Sequence, residues 1–148
     1  MSDGRHPQEI ARACADLMWA EDRATQGLGI HLDAVSPGAA TLSMTVADHM
    51  TNGHGTCHGG YIFALADSAF AFACNSTNER TVAAHCSISF LRPARRGNRL
   101  VAEATERARE GRSGLYDVRV TTTDGELIAE FRGHSRTIGG SFLPTEPT

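Results

Sequence analysis

Sixteen positions of this chain gather most of its chemistry-bearing residues: an amide at Asn52, imidazoles at His54 and His58, the pair Gly59-Gly60, and a carboxylate at Asp67. The residues leading to Asp67 are Ile62, Phe63, Ala64, Leu65 and Ala66, so the carboxylate sits in an apolar run. An unpaired charge is costly to bury there; Asp67 therefore has a partner, is incompletely enclosed, or does chemistry. Glycines at a helix start bare backbone N–H groups at the positive end of the helix dipole, where a carbonyl oxygen gaining charge is stabilised. A base or nucleophile, an oxyanion donor and a group that orients water are the requirements for hydrolysing an acyl derivative.

Each residue also has a plainer role open to it. Asp67 can be a buried ion-pair residue, with Arg92 or Arg132 as partner. Gly59 and Gly60 can mark a helix start or a close contact. Asn52-Gly53 is a common turn pair, although an amide also orients water or a carboxylate through its donor and its acceptor. His49, His54, Cys57 and His58 are zinc-type ligands, but no second ligand group at fixed spacing accompanies them, and no metal is expected. Arg92, Arg95 and Arg96, with Arg132 and Arg136 further on, form either a solvated hairpin or a cradle for phosphates.

Spacing constrains the pair Gly59 and Asp67. Eight residues of helix extend about 12 Å, and a side chain leaning N-terminally recovers only ~3–4 Å of that. One helix cannot bring both groups to one carbonyl. If both act on one substrate, they come from two copies of the chain with central helices antiparallel across a two-fold axis, which gives a dimer with two shared sites.

The elements that position these residues follow from periodicity. Ile10, Ala13, Cys14, Leu17 and Met18 recur at helical spacing between Pro7 and Gln26, with Gly27 suited to a C-terminal cap. Leu42, Met44 and Val46 alternate with Thr41, Ser43 and Thr45, predicting a strand over 38–46 that pairs with 28–34 across Ser36-Pro37-Gly38. From His58 to about Asn75 the chain is apolar nearly all round, which predicts an enclosed helix. Val82, Ala84, Cys86, Ile88 and Phe90 then alternate along another strand. Strands at 99–109, 115–123 and 126–137 follow, the last two joined by the hairpin turn Asp124-Gly125. The tail from Gly139 to Thr148 is expected to be loosely held.

The 148 residues suit one domain, 1–148, with 1–26 as an N-terminal helical segment. A net charge of −3 argues against nucleic acid as the main partner. Cys14, Cys57, Cys74 and Cys86 form no CxxC pair and suit reduced thiols in a cytoplasmic protein. No apolar run approaches membrane-spanning length, and the charged first 25 residues lack a signal-peptide core.

Five runs in order, Asn52-Gly53-His54, Cys57-His58-Gly59-Gly60, Ala66-Asp67-Ser68-Ala69-Phe70-Ala71, Phe90-Leu91-Arg92-Pro93 and Phe131-Arg132-Gly133-His134-Ser135, resemble the hot-dog-fold thioesterases of phenylacetic acid degradation, the PaaI type. The resemblance covers about residues 27 to 140. It implies an α+β hot-dog fold, an antiparallel sheet wrapped around one long central helix. It also implies an acyl-CoA thioesterase acting on phenylacetyl-CoA or a ring-hydroxylated relative. Asp67 would be base or nucleophile, Gly59 the oxyanion donor with Gly60 beside it, Asn52 the residue positioning water or carbonyl, and His58 a supporting group. Pantetheine would pass Ala84, His85 and Cys86 and run near Gly133 and Ser135, with Ser68, Arg92, Pro93 and Arg132 completing the substrate-binding set. Subunits of this family pair and often double into a homotetramer. Coenzyme A belongs to the substrate, and no separate cofactor, nucleic acid or membrane is implied. Some relatives place an assisting serine on the strand after the central helix, where this chain has Ala83 and Ala84. Two other activities suit the same pocket: an acyl-thioester dehydratase or hydratase using His58 and Asp67 as acid and base, and a non-catalytic acyl-CoA-binding sensor.

Overall fold

The structure, a computed structural model, describes residues 4–144. Its elements are α1 (Pro7–Glu21), α2 (Arg23–Gly27), β1 (His31–Ser36), β2 (Ala39–Thr45), a 3₁₀ turn (Asp48–Met50), α3 (Gly59–Cys74), β3 (Thr81–Phe90), β4 (Arg99–Glu110), β5 (Ser113–Thr122) and β6 (Leu127–Thr137). The strands form one antiparallel sheet in the order β1-β2-β4-β5-β6-β3, with α3 laid across it. Helix α3 is apolar on most sides because it is enclosed on most sides. Leu65, Ala66, Ala69, Phe70 and Phe72 are buried among Leu42, Met44, Leu100, Val118, Val120 and Ile128 from the sheet. Each such Leu or Phe contributes about 1.5–3 kcal/mol by leaving water.

Four expectations are corrected. The N-terminal helix is two helices, because Asp22 ends α1 and caps α2: its carboxylate accepts from the Thr25 N–H at 2.9 Å and from the Thr25 hydroxyl at 2.6 Å. Gly27 is the last residue of α2, and it is Gly29 that takes the positive φ, +70°. The alternation assigned to β3 breaks at Ala84, where the register with β6 slips between Ala83↔Ser135 and His85↔His134. A bulge changes the phase of everything beyond it, so Val82 lies opposite the exposed Arg136 and is itself exposed. Phe90 is not buried either; 51% of it is exposed. The tail is held over 139–144: Asn78 accepts from the Phe142 and Leu143 N–H groups at 3.0 and 2.8 Å, and Arg80 lies 4.4 Å over the Phe142 ring. Residues 145–148 of that tail lie outside the described residues.

The two edges of the sheet differ. Edge strand β1 is covered by α1, whose Gln8 side chain donates to the Val35 carbonyl at 2.7 Å. Edge strand β3, ten residues long, exposes most of its length. Among the described residues no helix is long and apolar enough to cross a membrane.

Candidate active site

The glycine pair is positioned by a strap over 50–58. Its ends are fixed by the His58 N–H donating to the Met50 carbonyl and the Cys57 N–H to the Ala94 carbonyl, both at 2.7 Å. Asn52 closes the loop from within: its Oδ1 accepts from the His54 N–H at 2.9 Å, the Thr56 N–H at 3.3 Å and the Thr56 hydroxyl at 3.1 Å. The turn role foreseen for Asn52 is thus present. Its amide nitrogen has no partner among the described residues, and the residue lines a polar cavity of about 480 Å³ with Arg95 and Arg96.

His58 caps α3. Its Nδ1 accepts from the Gly60 N–H at 3.0 Å, so the neutral ring carries its proton on Nε2, and Tyr61 meets it edge-on at 6.3 Å. This separates the two glycines. Gly60 has its N–H engaged by His58, whereas the Gly59 N–H has no acceptor among the described residues. The bare Cα positions are also filled by protein. A Cβ on Gly60 would lie 3.1 Å from His58 Nδ1, and one on Gly59 would lie 2.9 Å from Cζ of Phe90. A side chain at 59 would have to displace the tip of that ring, and the residue lines a cleft of about 420 Å³.

Two turns further along the unbroken α3, Asp67 is half-buried, and no group among the described residues pairs with it. Neither Arg92 nor Arg132 answers it. Burial pushes its carboxyl above the usual carboxylate range. Its charge reaches Cys74, one face of α3 further on, and Cys86 on β3; both thiols are raised, first by burial and then by Asp67. Asp67 thus lies near Cys86 on the edge strand β3 and near the buried Cys74.

The remaining substrate-binding candidates divide by face. Phe131, Gly133 and Ser135 point from β6 toward α3, and Gly133 lets the Phe70 ring lie on the strand: a Cβ there would sit 2.8 Å from three ring atoms. Cys86, opposite Gly133, shares this inner face, and Ala84 is the bulge residue. His85 and Arg132 are on the other face. His85 meets His134 edge-on at 5.5 Å, and the Arg132 guanidinium is held by Asp117 at 2.7 and 3.0 Å. Ser68 shares its hydroxyl with buried Thr25 at 3.0 Å, which ties α2 to α3. Of the arginines, Arg96 pairs with Asp48 at 3.0 Å, while Arg92 and Arg95 offer side chains without partners among the described residues; Arg92 and Pro93 line the Gly59 cleft. Phe90 and Leu91, part of a motif in the sequence but not among the site residues expected from it, line that cleft too, with Cys57 and Ile62. Their signal was two adjacent large apolar residues at a strand end, where alternation allows one to be buried. No group of three His, Cys, Asp or Glu side chains suited to a metal occurs among the described residues.

A free N–H at a helix start beside a cleft and an unpaired carboxylate two turns along the same helix belong to a recognisable class. The family model described as thioesterase superfamily matches residues 54–129. The acyl-coenzyme A thioesterase PaaI of Escherichia coli (strain K12) is 42% identical over 127 residues, 86% of this chain and 91% of that one. The structure of the E. coli PaaI protein from the phenylacetic acid degradation operon matches with a TM-score of 0.90 at 40% identity, covering 92% of this chain and 99% of the other. Human acyl-coenzyme A thioesterase 13 is 30% identical over 113 residues, 74% of this chain and 80% of that protein. The chain belongs to the thioesterase superfamily and has its hot-dog fold. Within it, the chain is of the PaaI type, a hydrolase of thioester bonds.

Proposed function

We propose that this protein is a cytoplasmic acyl-CoA thioesterase that hydrolyses phenylacetyl-CoA or a ring-hydroxylated relative to the free acid and coenzyme A. The observation that carries the assignment of roles is Asp67, a half-buried carboxylate on an apolar helix with no partner among the described residues. A structural ion pair would have supplied one. The acyl group follows from the E. coli relative, whose protein comes from the phenylacetic acid degradation operon.

In this reading the thioester oxygen accepts from the Gly59 N–H, and Asp67 of the neighbouring subunit attacks the carbonyl carbon or takes a proton from water that does. The tetrahedral oxyanion forms at the positive end of α3 and collapses with loss of the coenzyme A thiolate, giving the free acid where water attacked, or an anhydride with Asp67 that water then hydrolyses to the free acid where Asp67 attacked. Asn52 orients water or carbonyl with its free amide nitrogen, and His58 holds the first turn of α3 in shape. Two observations support a shared site: α3 runs without a break from Gly59 through Asp67, which keeps the pair about 12 Å apart along its axis, and β3 leaves one long sheet edge uncovered. A second copy at that edge would cover β3 and bring its own α3 alongside, and two such dimers would make the homotetramer. Arg92 and Arg95 are the arginines available to the phosphates of coenzyme A. The reaction requires no cofactor beyond the coenzyme A of the substrate.

The test is thiol release from phenylacetyl-CoA by Asp67→Asn. The expected result is loss of hydrolysis with the oligomer intact; undiminished release would defeat the assignment. Mixing Asp67→Asn with a Gly59 variant defective on its own should restore part of the activity, because one of the two mixed sites then has both native groups. Absence of such complementation would place both groups in one subunit.

A further inference from the structure

We infer that Phe90 determines specificity on the thiol side of the substrate: its ring walls the channel for the cysteamine and pantetheine limb, and the acyl group lies elsewhere. The inference rests on the reading of Gly59 as oxyanion donor and extends it to a residue with no role so far.

The geometry begins with the tip of the Phe90 ring. It sits where a Cβ of Gly59 would be, 2.9 Å from Cζ and 3.3 and 3.4 Å from the two Cε atoms. The ring therefore abuts the backbone that presents the free N–H. It is nevertheless 51% exposed, and Leu91 beside it is 54% exposed. Phe90 and Leu91 thus place two large apolar side chains in the wall of a cleft of about 420 Å³ that Gly59 also lines. The same cleft is lined by Arg92, whose guanidinium has no partner among the described residues. Phe90 touches the Gly59 position and Arg92 lines the same cleft two residues further along the chain, so the donor is followed by an apolar wall and then by a cation. An acyl-CoA has that order of groups in one direction only: carbonyl, then the alkyl and amide segments of the thiol limb, then phosphates. A phenylacetyl group offers Arg92 no anion, whereas the thiol limb ends in phosphates, which a guanidinium grips by charge and by fork geometry. Phe90 consequently meets the limb that leaves.

The experiment compares wild type, Phe90→Ala and Phe90→Leu on phenylacetyl-CoA, hexanoyl-CoA and the S-ethyl thioester of phenylacetic acid, which lacks the coenzyme A limb. For Phe90→Ala the expected result is a KM for both CoA thioesters raised about tenfold with kcat nearly unchanged, the scale of a lost apolar contact. The ratio of the two acyl groups should stay as in wild type, and the S-ethyl thioester should be hydrolysed at wild-type kcat/KM. Phe90→Leu, which keeps an apolar wall and protects against a folding failure of the alanine variant, should show the same pattern with a smaller rise. A changed acyl ratio would overturn the inference by placing the ring against the acyl group. An equal loss on the S-ethyl thioester would overturn it by showing that Phe90 acts only through the Gly59 backbone. Wild-type kinetics in both variants would overturn it outright. A failure of the functional reading itself is separately visible, as wild type that does not hydrolyse either CoA thioester.

Discussion

Asp67 and Asp117 are the same side chain on the two sides of one sheet, and their surroundings have opposite effects. Asp117, on the outer face, is clasped by Arg132 at 2.7 and 3.0 Å and approached by Arg107 at 3.4 Å; the hydrogen-bonded Arg132 holds its carboxyl below the usual range. Asp67, on the helix that the inner face covers, has burial and no cation, and is pushed up. The paired carboxylate has its lone pairs satisfied and is a poor base. The unpaired one is held in a state that costs the fold something, which is the usual signature of a functional rather than a structural carboxylate.

The sharpest way to break this contrast is to neutralise each in turn. Asp67→Asn should lower kcat for thiol release by about 10²–10⁴-fold, the range of a lost acid–base group, while Asp117→Asn should leave kcat within about twofold. Equal effects would remove the distinction between the two faces.

The next largest effect concerns stability on the inner face. Gly133→Ala would drive a Cβ into the Phe70 ring, and denaturant unfolding should show a loss of about 1–3 kcal/mol from overpacking. His134→Ala, one residue along and exposed on the outer face, should change stability little. A smaller effect separates the arginines. Arg92→Ala should raise the KM for phenylacetyl-CoA several-fold, whereas Arg132→Ala, already engaged with Asp117, should leave it unchanged.

The smallest effect is in pH dependence, where the two aspartates should differ in sign. The Asp67 carboxyl is raised above its unfolded value near 3.8, so the unfolded state binds fewer protons between those values, and its ionisation lowers stability as pH rises through that window. Asp67→Asn should therefore raise the thermal midpoint at neutral pH, and the gain should vanish below about pH 3.8. Asp117 is lowered, so its contribution is present above the unfolded value and lost as pH falls through the folded one; Asp117→Asn should lower the midpoint at neutral pH. Scanning both variants from pH 3 to 8 by calorimetry checks the signs.

Much of this was legible without coordinates. Element order, the enclosed helix and the Asp124-Gly125 hairpin are local properties, and the 3.6- and 2-residue periods report them directly. The isolation of Asp67 was legible as an anomaly of composition. Misreadings arose where a residue's surroundings depend on another part of the chain. Alternation made β3 legible as a strand but did not reveal that the bulge at Ala84 turns Val82 outward or that Phe90 ends the strand against Gly59. Nor did the sequence show that the Ser68 hydroxyl meets Thr25 or that the Arg132 guanidinium meets Asp117.

By itself, the amino-acid sequence determined which segments become helix and strand, placed a carboxylate eight residues from a glycine pair, and so separated the two by more than one carbonyl can span. Only the tertiary structure decided which aspartate stays unpaired, which glycine keeps a free N–H and which aromatic ring borders it. The reason is physical: periodicity is written by neighbours along the chain, whereas pairing, desolvation and close contact depend on strand register and on which side chains reach a group across space.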